Sequence, residues 1–312
     1  MNWLPEQASD FAGRVDTVIW FVTIISLISF ILITIGLVYF AIKYRRRSEN
    51  DETPYITGNL FLEMLWTVIP SILVMVIFVY GFVVYRDMRT PPQDALEVNV
   101  TGKQWLWQFQ YQNGKSTINE LYVQQDKPVK VVMRSDDVIH SFFVPAFRVK
   151  QDLIGGMYTY LWFTPTKVGI FDLYCAEYCG TGHSAMLGKV IVMSPEAYDR
   201  WEKGEEEEEG KAVAGLPPDQ LGEKLYKERG CNACHSIDGS TLVGPTWKGL
   251  FGHEVSLTDG STVTADENYI RQSILEPQAK MVKGFGPVMP AFKGILSDDD
   301  VAAIIAYIKT LK

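Results

Sequence analysis

Basic charge is in short supply in this chain. Its 312 residues carry 29 Lys and Arg against 37 Asp and Glu, a formal net charge of −8. That argues against nucleic acid as the main partner, because phosphate binding needs a net basic face. Cysteine and histidine are scarcer still, four of each; the cysteines fall into two tight clusters, each with a histidine close by. No internal repeat is visible. With 47% hydrophobic and 21% charged residues the chain as a whole is not disordered, and its length leaves room for two or three domains at roughly 100–200 residues each. The mean hydropathy of +0.02 averages apolar blocks with a polar remainder.

Charge is missing altogether from two stretches, residues 17–42 between Asp16 and Lys43 and residues 64–85 between Glu63 and Arg86. The shorter makes about 33 Å of helix at about 1.5 Å per residue, enough for a hydrocarbon core of about 30 Å. Both therefore read as transmembrane helices, with Pro70 expected to kink the second. The first also lacks the marks of a signal peptide. It is longer than an h-region, no basic segment precedes it, and no good small-residue cleavage site follows it. Lys43, Arg45, Arg46 and Arg47 directly follow the first span. The positive-inside rule puts that loop in the cytoplasm and both termini outside, where cysteines meet an oxidising compartment.

The rest divides in two. In residues 91–201, Trp105, Trp107, Phe109 and Tyr111 recur at period two, as in a half-buried strand. Further β-rich runs near 129–133, 138–144, 157–163, 168–174 and 187–193 suggest a sandwich or barrel. Residues 202–218 are acidic, then small, then Pro-rich, and read as a linker; a charged surface helix is the alternative for Glu205–Glu209. Residues 219–312 look mostly helical. A short helix runs from Asp219 to Gly230, and a clearer one from Ser297 to Leu311, where Ser297 can cap, Asp298, Asp299 and Asp300 face the helix dipole, and Val301, Ile304, Ile305 and Ile308 form an apolar stripe.

The C-terminal cluster is Cys231-Asn-Ala-Cys234-His235. The C-x-x-C-H spacing points to covalent haem attachment, two thiols adding to the haem vinyl groups and the adjacent imidazole binding iron. A thioredoxin-like disulfide normally sits beside a βαβ pattern, which is absent, and zinc would need a second ligand pair that this part of the chain lacks. Met281 and Met289 are candidates for the sixth ligand. His253 reads as a loop histidine. The region resembles class I cytochromes c, with Gly244-Pro245 after the haem motif and Gly286-Pro-Val-Met289-Pro-Ala-Phe292 before the last helix. That resemblance assigns Met289 as axial ligand, leaves Met281 as the fallback, and gives the Pro245 carbonyl the task of orienting His235.

The other cluster is Cys175-Ala-Glu177-Tyr-Cys179, then His183 and Met186, with His140 upstream. Two thiolates, two imidazoles and a thioether form a soft set that favours copper. The alternatives are a Cys175–Cys179 disulfide, which leaves both histidines and Met186 without purpose, and zinc, which leaves Met186 idle. The pattern C-x-E-x-C-x-x-x-H-x-x-M resembles the binuclear CuA centre of cytochrome c oxidase subunit II. The likeness covers about residues 15–200, including the helix hairpin, Glu63-Met-Leu-Trp66 and Trp105-Leu-Trp107. The appended cytochrome resembles the fused form of caa-type bacterial haem-copper oxidases.

The resemblance implies a multidomain chain: a two-helix transmembrane hairpin in 1–90, an all-β cupredoxin-like domain in 91–201, the linker, and an all-α class I cytochrome c domain in 219–312. It implies that Cys175 and Cys179 bridge two coppers, that His140 and His183 each bind one, and that Met186 and the Glu177 carbonyl are further ligands. It also implies that the Glu177 carboxylate reaches a magnesium (or manganese) ion at the interface with subunit I. Trp105 matches a position of electron input, although by itself it reads as a strand aromatic in a core. Glu63 matches a carboxylate at a proton-channel entrance, and reads equally as an acid flanking the span. One departure is Leu106, where the family usually has Tyr. The implied role is the electron-input subunit of a terminal respiratory oxidase in a bacterial plasma membrane. It would pass electrons from its own haem c to CuA and on to subunit I, where oxygen is reduced to water with proton translocation. The implied partners are subunits I and III and an upstream donor, such as a small cytochrome or the quinol-oxidising complex. The chain would be an enzyme only within that complex, since its spans hold no histidine cluster for an oxygen-reducing site. A linker of about 15 residues would give an r.m.s. reach of about 20–23 Å and an effective concentration in the mM range. Two other readings compete: the same role in a CuA-containing nitric oxide reductase, and a membrane-anchored electron-transfer or copper-storage protein with no enzyme partner.

Overall fold

The computed structural model describes residues 3–50, 55, 57–205 and 216–312. It divides into two units: residues 11–90, and residues 91–312 together with the first ten. The smaller unit is a helical hairpin of α1 (Ala12–Lys43) and α2 (Leu60–Met88). Both helices outrun the charge-free stretches, because flanking polar residues extend each past its apolar core. The window hydropathies of 2.7 and 2.5 suit a membrane, and almost none of either window is buried within the chain. Apolar residues such as Ile33 and Leu37 are about two-thirds exposed, a surface that water does not tolerate and lipid does. Asn59 caps α2 by accepting from the Leu62 N–H, and α2 continues through Pro70. Arg14 and Asp87 form an ion pair at 2.5 Å between the two helices, and Phe21 meets Tyr80 edge-on at 6.0 Å.

In the larger unit the chain first builds ten strands: β1 (Leu96–Lys103), β2 (Leu106–Tyr111), β3 (Ser116–Ile118), β4 (Glu120–Gln124), β5 (Val129–Ser135), β6 (His140–Val144), β7 (Val149–Leu153), β8 (Thr159–Phe163), β9 (Gly169–Cys175) and β10 (Leu187–Met193). They form two five-stranded sheets in the orders β3-β2-β1-β5-β8 and β4-β10-β9-β6-β7. Alternate residues point inward, and the sheets meet through side chains such as Trp107 and Phe142, whose rings lie 5.7 Å apart edge to face. The β-rich runs read from sequence correspond to β2, β5, β6, β8, β9 and β10. Polar alternation hides β1, β4 and β7 from an apolar count. The period-two reading of 105–111 needs correction at its start. Trp105 lies in the turn between β1 and β2, and Leu106 is buried where alternation places an exposed residue. The first ten residues belong here too: Ser9 bridges to Pro165, and the Ala8 N–H donates to the Ala146 carbonyl.

A short helix α3 (Pro195–Lys203), capped by Ser194, closes this domain by placing Trp201 against Tyr111 and Tyr122. The linker reading is therefore shortened at both ends. Residues 202–203 are helical, Pro218 already begins the next helix, and residues 206–215, with most of the Glu205–Glu209 run, lie outside the described residues. The C-terminal domain contains α4 (Pro218–Glu228), a hairpin of β11 (Glu254–Ser256) and β12 (Thr262–Thr264), α5 (Glu267–Leu275) and α6 (Asp298–Thr310). Ser297 caps α6 as expected, and Asp300 reaches back to its backbone N–H to complete a capping box. Helices α4 and α6 cross at Gly222. A Cβ there would stand 2.1 Å from the Ala303 carbonyl oxygen, so only glycine lets the helices approach this closely.

Candidate metal centre and cofactor cavity

His140 opens β6 and Cys175 ends β9, and the pairing of Phe142 with Cys175 brings the two onto the inner face at one end of the sandwich. The β9–β10 loop then carries Cys179, His183 in a single 3₁₀ turn, and Met186 just before β10. The Sγ atoms of Cys175 and Cys179 lie 3.8 Å apart, unbonded to each other. Cys175 Sγ is 4.0 Å from His140 Nδ1 and 3.2 Å from the Glu177 carbonyl oxygen. Cys179 Sγ is 3.4 Å from His183 Nδ1 and 3.8 Å from Met186 Sδ. His140 and Met186 are wholly buried, the two cysteines nearly so. All the residues proposed to hold copper are thus brought to one place. The Glu177 side chain itself is exposed.

The electrostatics of the cluster favour a cation. Burial raises both thiols. Hydrogen bonds from His140 and from neighbouring backbone bring Cys175 down to about 7, whereas burial and the negative charge on Cys175 push Cys179 up to about 12. Two adjacent thiols cannot both ionise unless a positive charge sits with them. His140 Nε2 donates to Asp137 Oδ1 at 2.7 Å, so once the Nδ1 proton is lost the lone pair on that nitrogen faces the thiols. Burial pulls the His140 pKa down, but Cys175 and Asp137 together carry it above its ordinary value. A donor set of two sulfurs, two imidazoles, a thioether and a carbonyl suits copper.

The C-terminal domain encloses a cavity of about 390 Å³ with Cys231, Cys234, His235, Met281 and Met289 on its walls. The His235 Nδ1–H donates to the Pro245 carbonyl at 2.7 Å, leaving Nε2 as the basic nitrogen, and Tyr226 Oη donates to the His235 carbonyl at 2.6 Å. Trp247 stacks on the ring at 5.3 Å. Burial holds His235 below its usual pKa, so the imidazole is neutral, the form that binds a metal. A Cβ on Gly244 would come within 2.7 Å of His235 Cε1, so this glycine is the floor on which the ring rests. Apolar walls such as Leu250, Ile270 and Phe292, two unpaired thiols and an oriented imidazole fit a covalently held haem. Both methionines line the cavity, and Met289 also packs against the domain core. His253 lies exposed in a loop outside the cavity walls.

The two centres share a wall. Gln104, Trp105 and Leu106 of the β domain line the same cavity as His235 and Met289. Trp105 Nε1 and Gln104 Nε2 both donate to the Cys179 carbonyl, at 3.1 and 2.6 Å. The Trp105 ring also covers Gly182, where a Cβ would meet it at 2.5 Å. Sequence reasoning missed Gln104 and Asp137. The only signal for Asp137 is an acid three residues before His140, and for Gln104 there is none. Glu63 lies in the other unit, exposed in the first turn of α2.

Comparison with known proteins matches the chain in three segments. Residues 2–84 match the transmembrane domain of cytochrome c oxidase subunit II, residues 116–194 its periplasmic domain, and residues 220–312 cytochrome c. A two-helix membrane anchor, a copper-type β domain and a haem-type helical domain in one chain define a membrane-bound electron-transfer subunit. Cytochrome c oxidase subunit 2 of Alkalihalophilus pseudofirmus is 33% identical over 309 residues, covering 95% of this chain and 86% of that protein. Cytochrome c oxidase subunit 2 of Bacillus subtilis is 31% identical over 302 residues, covering 88% and 82%. The crystal structure of the periplasmic domain of subunit II of the Bradyrhizobium japonicum oxidase is 32% identical over 37% of this chain and 96% of its own, with a TM-score of 0.36. The chain belongs to the cytochrome c oxidase subunit II family, in the form that carries a C-terminal cytochrome c domain.

Proposed function

We propose that the chain is the electron-input subunit of a terminal respiratory haem-copper oxidase. The observation that carries this is the shared wall: Trp105 lines the haem-type cavity and donates a hydrogen bond to the backbone of the copper-type loop at Cys179. The chain takes one electron at a time into its cytochrome domain, hands it across residues 104–106 to the copper domain, and delivers it to subunit I, where oxygen is reduced to water with proton translocation. Cys231 and Cys234 would tether the haem, and His235 and Met289 would bind its iron. His140, Cys175, Cys179, His183, Met186 and the Glu177 carbonyl hold the binuclear copper. When bound, the two groups supply one-electron redox chemistry, and the protein supplies their geometry, burial and hydrogen bonding. Trp105 is the residue of electron input to the copper domain. The exposed Glu177 carboxylate would hold a magnesium ion at the subunit I interface, and Glu63 would serve at a proton-channel entrance. Subunit III and an upstream donor complete the assembly in a bacterial plasma membrane.

Both hairpin ends lie on the extracytoplasmic side in this reading. Two independent features support it: the basic cluster Lys43, Arg45, Arg46 and Arg47 between the spans, and the binding of residues 8–10 to the same domain that follows α2. The test is low-temperature EPR of the copper-loaded full chain, together with isolation of its native membrane complex. One unpaired electron shared over two coppers, beside a low-spin ferric haem and a partner that consumes oxygen, is expected. A single-copper hyperfine pattern overturns the copper reading. A partner that reduces nitric oxide but not oxygen overturns the oxidase reading.

A further inference from the structure

We propose that Arg229 and Glu120 form a latch that fixes the cytochrome domain on the copper domain, and that they are positioning residues for electron transfer between the two. This rests on the electron-input reading above, and asks what keeps the cavity wall shared. Arg229 Nη1 donates to Glu120 Oε2 at 2.7 Å, across domains, with the side chains only 21% and 17% exposed. Tyr122 Oη donates to the same carboxylate oxygen at 3.0 Å, holding it ready for the arginine. The Nε of Arg229 is buried with no hydrogen-bond partner among the described residues. A guanidinium so far out of water is costly, and Glu120 is the acid that offsets it.

The surroundings of the pair are built to match. Arg229 and Gly230 directly precede Cys231, so the latch stands one residue from the haem-attachment turn. Gly230 has φ +76°, and a Cβ there would lie 2.8 Å from the Asn119 side-chain amide. Asn119 is itself immobilised: its Oδ1 accepts from the Trp107 N–H at 2.9 Å and its carbonyl from the Lys189 N–H at 2.7 Å. Leu106 and Ile118 of the copper domain belong to the same buried cluster as Leu225, Tyr226 and Trp247 of the cytochrome domain. That apolar contact supplies adhesion without direction, whereas the ion pair sets register. It also explains Leu106. A residue under a permanently seated domain has no use for a tyrosine hydroxyl that would need its own partner.

The test uses the full chain with spin labels on non-natural residues at Lys127 and Lys248, both exposed and on different domains. With both centres reduced, the inter-label distance distribution is measured for wild type, Arg229→Glu, Glu120→Arg and the double reversal. Wild type should give one narrow population. Each single reversal should raise the undocked population at least tenfold and slow flash-induced electron transfer between the domains. The double reversal should restore both. Glu120→Gln, which keeps shape and loses charge, gives a milder broadening and serves if a reversal fails to fold. Unchanged distances in Glu120→Arg and Glu120→Gln, or a double reversal no better than the folded singles, overturns the latch. The distance readout needs neither cofactor, so a missing binuclear copper signal would refute the electron-input reading while leaving the latch to be judged separately.

Discussion

Replacing Gly244 by alanine puts a methyl group against the imidazole of His235. Its Cβ would stand 2.7 Å from Cε1 and 2.9 Å from Nδ1, with the Cys234 carbonyl oxygen at 3.2 Å. Ordinary carbon contacts begin several tenths of an ångström further out, so the ring must retreat. It is held at Nδ1 by the Pro245 carbonyl and on its face by Trp247. The retreat breaks the Nδ1 hydrogen bond and leaves a buried group unpaired, at about 1–3 kcal/mol. For a domain the size of residues 219–312, each kcal/mol moves the midpoint by about 4–8 °C, so the thermal transition of the haem-loaded domain should fall by about 4–24 °C. The visible spectrum should lose part of its low-spin character as the imidazole leaves its position. Gly286→Ala is the control: Gly286 lines the same cavity, but its added methyl would find its nearest neighbour, Val288 Cγ1, at 3.9 Å. Identical spectra and midpoints for Gly244→Ala and the control would refute the role assigned to Gly244.

Two further predictions concern the helix crossing and the thiols. Gly222→Ala should gain about 1 kcal/mol of helix propensity and lose more to its overlap with the Ala303 carbonyl. A net loss of about 1–3 kcal/mol is expected by urea unfolding, and an increase in stability would show that α4 and α6 are not in such close contact. In the copper-free chain, Cys175 should begin to ionise near pH 7 while Cys179 stays protonated far above it. Because the folded-state pKa of Cys175 is depressed, its contribution to stability grows as pH rises through 7 and is lost below it. Alkylation followed by mass spectrometry would contradict this ordering if Cys179 reacted first.

The features legible in the sequence are those whose parts lie close together along the chain. The residues from Cys175 to Met186 announce themselves by spacing, as do Cys231 to His235, and so do the apolar runs of α1 and α2. The cap of α6 is written in Ser297 and the three aspartates after it. What stays hidden is set by distant pairing. Strand β1 pairs in parallel with β5, and no local pattern declares a parallel neighbour. Gln104 reaches Cys179 across 75 positions, and Arg229 reaches Glu120 across 109. Leu106 is the instructive case. Its period-two position predicts exposure, and only the arrival of a second domain buries it. Likewise, the short runs of β4 and β7, interrupted by charged and amide side chains, become strands through the neighbours they pair with.

The burial of Leu106 carries a consequence for the history of such a chain. Two proteins that merely meet keep their meeting faces wettable, because each must survive alone. Here the copper domain and the cytochrome domain have placed apolar side chains into one common cluster. Cutting them apart would expose that cluster on both halves and make each prone to stick to whatever is near. Fusion of this kind acts as a ratchet: every apolar substitution accepted beneath the seated domain makes a return to independent life harder.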